Sequence, residues 1–410
     1  MRGFSTKAVH GPHTDKDPHG SLRPPLYDSV AFEFSFSRDL ELAFGGKKPA
    51  HTYSRITNPT VSELEMRIGH LNGAFGVVAV SSGMAAITNT IMALGRSGSN
   101  IVTTRHLFGH TLSLFTQTLE RWGLETRFGN MSDLSSIGRL IDENTACVFL
   151  EIISNPQLEV TDIAEVVGLA STRNVPVVLD GTLTSCSLFD SRKAGVAVEV
   201  ISSTKFISGG ATTTGGLIID NGTFDWKKTA TLRKLSGQFG PGAFIMSLRK
   251  DVYRNTGSCL SAHNAWLQIL GLETLPLRTA RSSSNAFEIA AFLQKRQRVL
   301  SVNYPGLPSS AWYHNAVRQF SGGFGGILTF ELDGKEECFR FMDSLEIIRK
   351  ATNLNDNKTL VIHPASTIFS DFTEKERTEM GISERLVRLS VGIEDVEDLK
   401  ADIKGGLKLL

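Results

Sequence analysis

Cysteine is scarce and scattered. Cys147, Cys186, Cys259 and Cys338 are the only four in 410 residues, and their spacing forms neither a metal-ligand cluster nor a disulfide framework. A reducing, cytoplasmic setting is therefore expected. No apolar run is long enough to span a bilayer, and the opening MRGFSTKAVHG has no apolar signal core, so no membrane association is expected. An excess of one charge is missing too. Lys and Arg total 43 against 42 Asp and Glu, which implies no nucleic acid or other polyanion as partner. The ten histidines fall in no H-E-x-x-H or similar pattern, so no metal site is expected. Internal repeats and low-complexity tracts are also absent. What remains is a chain long enough for two domains and a large core.

Residues 1–56 are rich in Gly, Pro, His and aromatics with little periodicity, and read as an extended arm that packs on a partner or another domain. At Thr57-Asn58-Pro59-Thr60 the pattern changes to a helix start, with capping side chains and a proline in the first turn. Strand-like and helical stretches then alternate: GVVAVS, MAAITNTIMAL, NIVTT, HTLSLFTQTLERW, LETRF, DLSSIGRLI, ACVFLEII, DIAEVVGLASTR, VPVVLD, VEVISS and GGLIID. Short apolar strands alternating with helices predict an α/β domain over 57–250, a mostly parallel sheet with helices on both faces. From 251 to 410 two helical stretches, NAWLQILGLETLPLR and SNAFEIAAFLQKR, precede antiparallel-looking strands, GILTFEL and VRLSVGI. That is a smaller C-terminal α+β domain. Gly322-Gly323-Phe324-Gly325-Gly326 leads into a strand rather than a helix, and so is not a nucleotide loop.

The chemistry is concentrated at Ser202-Ser203-Thr204-Lys205, between a strand-like run and a glycine-rich turn. A lysine at a buried strand end is poorly solvated, which favours the neutral amine that attacks carbonyls. The hydroxyls of Ser202 and Thr204 flank it at a spacing suited to a phosphate. Ser81-Ser82-Gly83-Met84 joins a strand to a helix, where backbone N–H groups and the helix dipole hold anions. Asp180 ends VPVVLD, where a carboxylate keeps a pyridine nitrogen protonated. Asn155 can donate to a phenolic oxygen, and Phe108 can stack on an aromatic ring. In such sheets sites lie beyond the carboxyl ends of the strands, where Ser82, Glu151, Asp180 and Lys205 all fall. Each feature alone has an ordinary reading as a cap, loop or core residue. In this order they fit one cofactor.

These residues resemble the pyridoxal-phosphate enzymes of cysteine and methionine metabolism, the transsulfuration family. The likeness runs the length of the chain: Pro25-Leu26-Tyr27, Tyr53-Ser54-Arg55-Ile56-Thr57-Asn58-Pro59-Thr60, Ser82-Gly83-Met84-Ala85-Ala86, Ser154-Asn155-Pro156, Asp180, Ser202-x-Thr204-Lys205, Gly271-Leu272-Glu273-Thr274-Leu275, His363-Pro364-Ala365 and Arg388-Leu389-Ser390-Val391-Gly392. It implies fold-type I, pyridoxal 5′-phosphate as cofactor, and a homotetramer built as a dimer of dimers. It implies Lys205 as the Schiff-base lysine and Tyr53 as a second catalytic residue. Ser82, Gly83, Met84, Phe108, Asn155, Asp180, Thr182, Ser202 and Thr204 would bind the cofactor, with Tyr53 and Arg55 reaching the phosphate in the neighbouring subunit. Asn353 and Arg388 would bind a small amino-acid substrate, Arg388 gripping its α-carboxylate.

Within the family, NAWLQILGLETLPLR, TNLNDNKTLVIHPAST and LFGHTLSLF are most similar to acylhomoserine sulfhydrylases, notably the O-succinylhomoserine branch. The implied reaction is γ-replacement on O-succinyl- or O-acetylhomoserine by sulfide or a thiol, giving homocysteine or a thioether. The alternative is a γ-lyase on methionine, cystathionine or another γ-substituted amino acid, releasing an α-keto acid and ammonia. Phe108 stands where many relatives have Tyr; it stacks but moves no protons, which leaves that work to Lys205 and Tyr53. Three departures stand out. Gly181 replaces a usual Asn or other polar residue and reads as loop drift. Asn355 replaces a usual Gly, and Thr212-Thr213-Thr214 is an unusual run. Asn353, Asn355 and His110 are expected near the substrate.

Overall fold

A computed structural model describes residues 3–12 and 17–410; residues 1–2 and 13–16 of the expected arm lie outside the described part. Seven strands, β1 (Gly76–Val80), β2 (Asn100–Thr103), β3 (Glu125–Phe128), β4 (Thr145–Glu151), β5 (Val177–Asp180), β6 (Val198–Ile201) and β7 (Gly216–Asp220), form one sheet. Their order is β1-β7-β6-β5-β4-β2-β3. Every pair is parallel except those of β7, which runs antiparallel to both β1 and β6. Successive side chains of a strand face opposite ways, and the cores follow: Phe149, Val178 and Val200 join one apolar cluster, while Val148, Leu150, Val177 and Leu179 join another. A sheet buried on both faces needs continuous apolar strands, which is what the sequence supplies.

Two helices flank β1. In α1 (Pro59–Asn72) the Asn58 side chain accepts the N–H groups of Thr60 and Val61, and Gly73 ends the helix in the left-handed region at φ 63. In α2 (Gly83–Leu94) Ser82 is the N-cap, its hydroxyl accepting the N–H of Ala85. The predicted helix HTLSLFTQTLERW is instead composite: an α-helical turn (Gly109–Ser113), a π-helical segment (Leu114–Leu119) and a 3₁₀ turn (Glu120–Trp122). The arm is also less extended than its composition implies. Phe4–His10 is helical and buries Ala8 in the cluster that holds Leu64, Ile68 and Leu272, whereas residues further on leave Leu22, Phe36 and Phe44 in the open.

A second sheet holds β8 (Ser301–Asn303), β9 (Ile327–Glu331), β10 (Arg349–Lys350), β11 (Leu360–Ile362) and β12 (Leu386–Ser390), in the order β10-β11-β12-β9-β8. Only β10 and β11 pair in parallel. Between the sheets runs α3 (Ala262–Leu293), a single helix of 32 residues with Pro276 inside it. The sequence reads as two helical stretches here, parted at Thr279–Ser283, and Pro276 inside the first removes one backbone bond and costs about 3 kcal/mol. Burial outweighs that cost. Ile269, Leu272 and Leu275 pack into the cluster under β1 and β7, and Ala286, Ile289 and Leu293 into the core of the second sheet. Each buried Leu or Ile contributes roughly 1.5–3 kcal/mol, so a helix anchored in both cores runs straight through the proline. One helix thus ties the second sheet to the first.

Candidate active site

The carboxyl ends of β4, β5 and β6 and the start of α2 open into a cavity of ≈ 680 Å³, lined on its other side by Arg388 of β12 and by loop residues of the C-terminal part. Lys205 follows β6 and is part-buried; its Nζ donates to Asn353 Oδ1 at 2.7 Å. Loss of solvent lowers its pKa to about 8, with the Arg388 charge adding to the effect and Asp356 opposing it. The turn carrying the lysine is held from below. The Ser208 hydroxyl donates to Thr204 O and Lys205 O, and Arg278 Nη1 of α3 donates to Phe206 O at 2.7 Å. Helix α3 comes this close only because residue 271 is glycine, where a Cβ would stand 2.2 Å from Ile207 O.

The N-terminus of α2 faces the same cavity. The first N–H groups of a helix have no partner inside it, and among the described residues those of Gly83 and Met84 find none elsewhere. A Cβ on Gly83 would lie 2.6 Å from Ser202 Cβ, so glycine is what lets the helix end meet the Ser202 hydroxyl. Thr182 links two parts of the site: its hydroxyl oxygen accepts the Ser202 N–H at 2.8 Å, and its own N–H donates to Asp180 Oδ1 at 2.9 Å. Thr204 lines the same wall.

Asp180 and Glu151 are paired neighbours at the ends of β5 and β4. Burial raises both carboxyls above their ordinary range, and the Asp180 charge raises Glu151 further. Glu151 Oε1 accepts the N–H of Phe108 at 2.6 Å, which fixes the backbone of the proposed stacking residue. Arg388, 2% exposed on β12, donates Nη1 to Asn155 Oδ1 at 3.0 Å and Nη2 to Asn353 O at 3.1 Å. The first bond leaves the Asn155 NH₂ free to donate elsewhere. Desolvation pushes the Arg388 pKa down to about 10, and its Nε has no partner among the described residues. A buried guanidinium with an unpaired edge fits an incoming carboxylate.

The cavity thus brings together Lys205, Asp180, Asn155, Phe108, Thr182, Ser202, Thr204, Arg388 and the Ser82-Gly83-Met84 turn, with Asn353 on the lysine. Tyr53 and Arg55 are not among its lining residues. Arg55 Nη1 donates to Arg254 O at 2.6 Å and its guanidinium lies 5.4 Å over the Tyr53 ring, with Tyr53 39% exposed. Two further expectations are corrected. Asn355 does not reach the cavity: it is buried at φ 54, with both side-chain polar atoms unpartnered among the described residues. The left-handed backbone there explains why glycine is usual and why asparagine is tolerated. Gly181 is not loop drift. Glu199, fully buried on β6, occupies the space its side chain would take, and a Cβ would stand 2.0 Å from Glu199 Oε1. Sequence reasoning placed Glu151 at a strand end without giving it a task; the signal was a carboxyl closing an apolar strand, the same signal that marked Asp180.

Residues 5–408 match the model of the Cys/Met metabolism PLP-dependent enzyme family. The chain belongs to that family. It is 37% identical to the O-acetyl-L-homoserine sulfhydrylase of Corynebacterium glutamicum, covering 98% of this chain and 96% of the relative. It is 35% identical, at the same coverage, to the homocysteine/cysteine synthase of Kluyveromyces lactis. Among solved structures it superposes on a putative O-acetylhomoserine (thiol)-lyase from Campylobacter jejuni with TM-score 0.93 and 32% identity, covering 99% of this chain and 100% of that one. That structure carries pyridoxyl-lysine monophosphate at its position 205. The O-acetylhomoserine sulfhydrylase of Wolinella succinogenes is 46% identical over 86% of this chain and 98% of that one, with TM-score 0.77. The chain is a pyridoxal-phosphate-dependent enzyme, and its cavity fits the group. The free N–H groups at α2 suit a phosphate, and the two carboxyls at the floor suit a protonated ring nitrogen. The part-buried amine with a lowered pKa suits the aldehyde.

Glu199 also generates a pH prediction. Burial raises its pKa from 4.5 to about 7, against the Ser191 hydroxyl bond that lowers it. A carboxyl that binds its proton more tightly when folded stabilises most below its unfolded pKa, and that contribution is lost as pH rises through about 7. Glu199→Gln should therefore gain thermal stability over the parent between pH 5 and 8, the gap widening to on the order of 3 kcal/mol. Melting curves across that range check it; a gap independent of pH would contradict the assignment.

Proposed function

We propose that this enzyme replaces the γ-substituent of an O-acylated homoserine, the O-acetyl ester foremost, with sulfide or a small thiol. The observation that carries the reading is the pairing, in one cavity, of a part-buried lysine amine with a buried arginine whose Nε is unpaired. The similarity to O-acetyl-L-homoserine sulfhydrylases, at 98% coverage of this chain, supports the ester and tilts it toward acetyl rather than succinyl. Bound in the cavity, pyridoxal phosphate would supply an electron sink for the charge left at the substrate's α-carbon. The chain does the rest. Arg388 receives the α-carboxylate and so fixes which face of the α-carbon meets Lys205. The Lys205 amine, with its pKa lowered to about 8, takes the α-proton at neutral pH and passes it on, because Phe108 has no proton to exchange. Asp180 would hold the proton of the ring nitrogen, and Glu151, by fixing the Phe108 backbone, would keep that side chain in place for stacking. Removal of a β-proton then lets the C–H electron pair form a carbon–carbon double bond as the γ-acyloxy group leaves as its carboxylate, and the sulfur nucleophile adds to the unsaturated γ-carbon.

The enzyme should give homocysteine from O-acetylhomoserine and sulfide, with 2-oxobutyrate minor at saturating sulfide. Product analysis for the acetyl and succinyl esters, with and without sulfide, checks this. Replacement and elimination diverge by a difference of barriers in which about 1.4 kcal/mol is already tenfold. Keto acid as the main product would make the enzyme a γ-lyase instead.

The same proposal includes a homotetramer in a reducing cytoplasm, with Tyr53 and Arg55 serving a neighbour's phosphate and Tyr53 sharing its proton work. Their position outside the chain's own cavity, on an arm with Leu22, Phe36 and Phe44 exposed, supports it. Subunits of Lys205→Ala and Arg55→Ala, each inactive alone, should regain part of the activity when mixed, since hybrid dimers contain one intact site. No recovery despite verified subunit exchange would mean that each chain completes its own site.

A further inference from the structure

The loop after β10 does more than present Asn353. Asn353 is held at three points: Oδ1 accepts from Lys205 Nζ at 2.7 Å, Nδ2 donates to Asp356 Oδ2 at 3.2 Å, and the backbone oxygen accepts from Arg388 Nη2 at 3.1 Å. The two ends of a primary amide are nearly the same size, so its orientation is decided by what each end meets. A carboxylate only accepts hydrogen bonds. Asp356 therefore requires the NH₂ end of Asn353, which leaves the oxygen end for the lysine.

Asp356 is itself braced. Its Oδ1 accepts the N–H of Lys358 at 3.1 Å. The adjoining Asn357 donates Nδ2 to Gly209 O at 3.0 Å, tying the loop to the glycine turn beyond Lys205. Gly210 makes room for that contact, since a Cβ there would lie 2.2 Å from Asn357 Nδ2. The loop is thus fastened to both sides of the lysine turn.

We infer that Asp356 is a positioning residue for Lys205, fixing the Asn353 amide so that the free lysine amine always donates to it and keeps its remaining valences toward the cavity. This rests on reading Lys205 as the cofactor lysine, and it concerns the interval when the amine is free to move the α-proton. With a neutral amide at 356, Asn353 is free to turn over and offer its NH₂ to the amine, which then has to accept with the lone pair it needs as a base. Charge acts in the same direction. The ionisable groups around Lys205 are Arg388 on β12, Asp356 on the loop, and Asp180, Glu151 and His110 across the cavity. Asp356 opposes the fall in the lysine pKa that burial and Arg388 produce.

The test is competitive labelling of Lys205 with trace acetic anhydride across pH 6–10, in cofactor-stripped full-length protein whose folding is checked by melting. The parent should label with a midpoint near 8. Asp356→Asn should move that midpoint to lower pH by about half a unit to one unit, and move the acidic limb of the kcat profile with it. The imine absorbance of the reconstituted enzyme at neutral pH should stay unchanged. In an Asn353→Ala background, adding Asp356→Asn should have less than half its effect, because the bridge is already gone. An unmoved midpoint in folded Asp356→Asn overturns the inference, and so does an equal shift in both backgrounds, which would make Asp356 a remote charge only. The labelling needs no turnover. A shifted midpoint in a protein that makes no replacement product would overturn the proposed function and leave this inference standing.

Discussion

The site depends on holding charged groups away from water at one end of a sheet. Lys205, Arg388, Asp180 and Glu151 share a single cavity, and desolvation is the largest influence on each of them. Burial pushes cationic groups to give up protons and carboxyls to keep them. In water the four would be an ordinary set of two cations and two anions. Inside the cavity the lysine becomes a usable base, and the arginine is left with an edge in want of an anion. The carboxyls are left in want of a cation. A phosphorylated pyridine aldehyde and an amino acid supply what these groups lack.

Holding such groups dry requires a rigid frame, and its close contacts are made at glycines. Gly271 lets α3 pass under the lysine turn, and Gly83 lets α2 meet Ser202. Gly181 makes room for Glu199 behind Asp180. Each is a place where one backbone or side chain approaches another too closely for a Cβ. Helix α3 is anchored in both cores and so ties the second sheet, which carries Arg388, to the first, whose strand ends lead to Asp180 and Lys205.

Much of this was legible in the sequence, because strand ends are local features. An apolar run closed by a polar or charged residue marks both the strand and what it presents, and that signal placed Ser82, Asp180, Lys205 and Glu151. What it left open was set by contacts between distant segments. The pairing of Gly181 with Glu199 lies across two strands, and neither residue signals it alone. The continuity of α3 across Thr279–Ser283 is decided by two separate cores, whereas local composition divides it there. Asn355 reads as a substrate neighbour because it adjoins Asn353, yet its left-handed backbone turns it away from the cavity. Tyr53 and Arg55 were recognisable as residue types, but they lie outside the chain's own cavity, and the motif alone does not show that.

At the centre of the account is the proposal that Lys205 carries the cofactor, argued from its part-buried amine bonded to Asn353 in the cavity it shares with the start of α2. Reduction of the native enzyme with borohydride, followed by digestion and mass mapping, tests that most directly. The account predicts pyridoxyl phosphate on the peptide containing Lys205 and none on the same peptide from Lys205→Ala. The label on any other lysine of the native enzyme would contradict it.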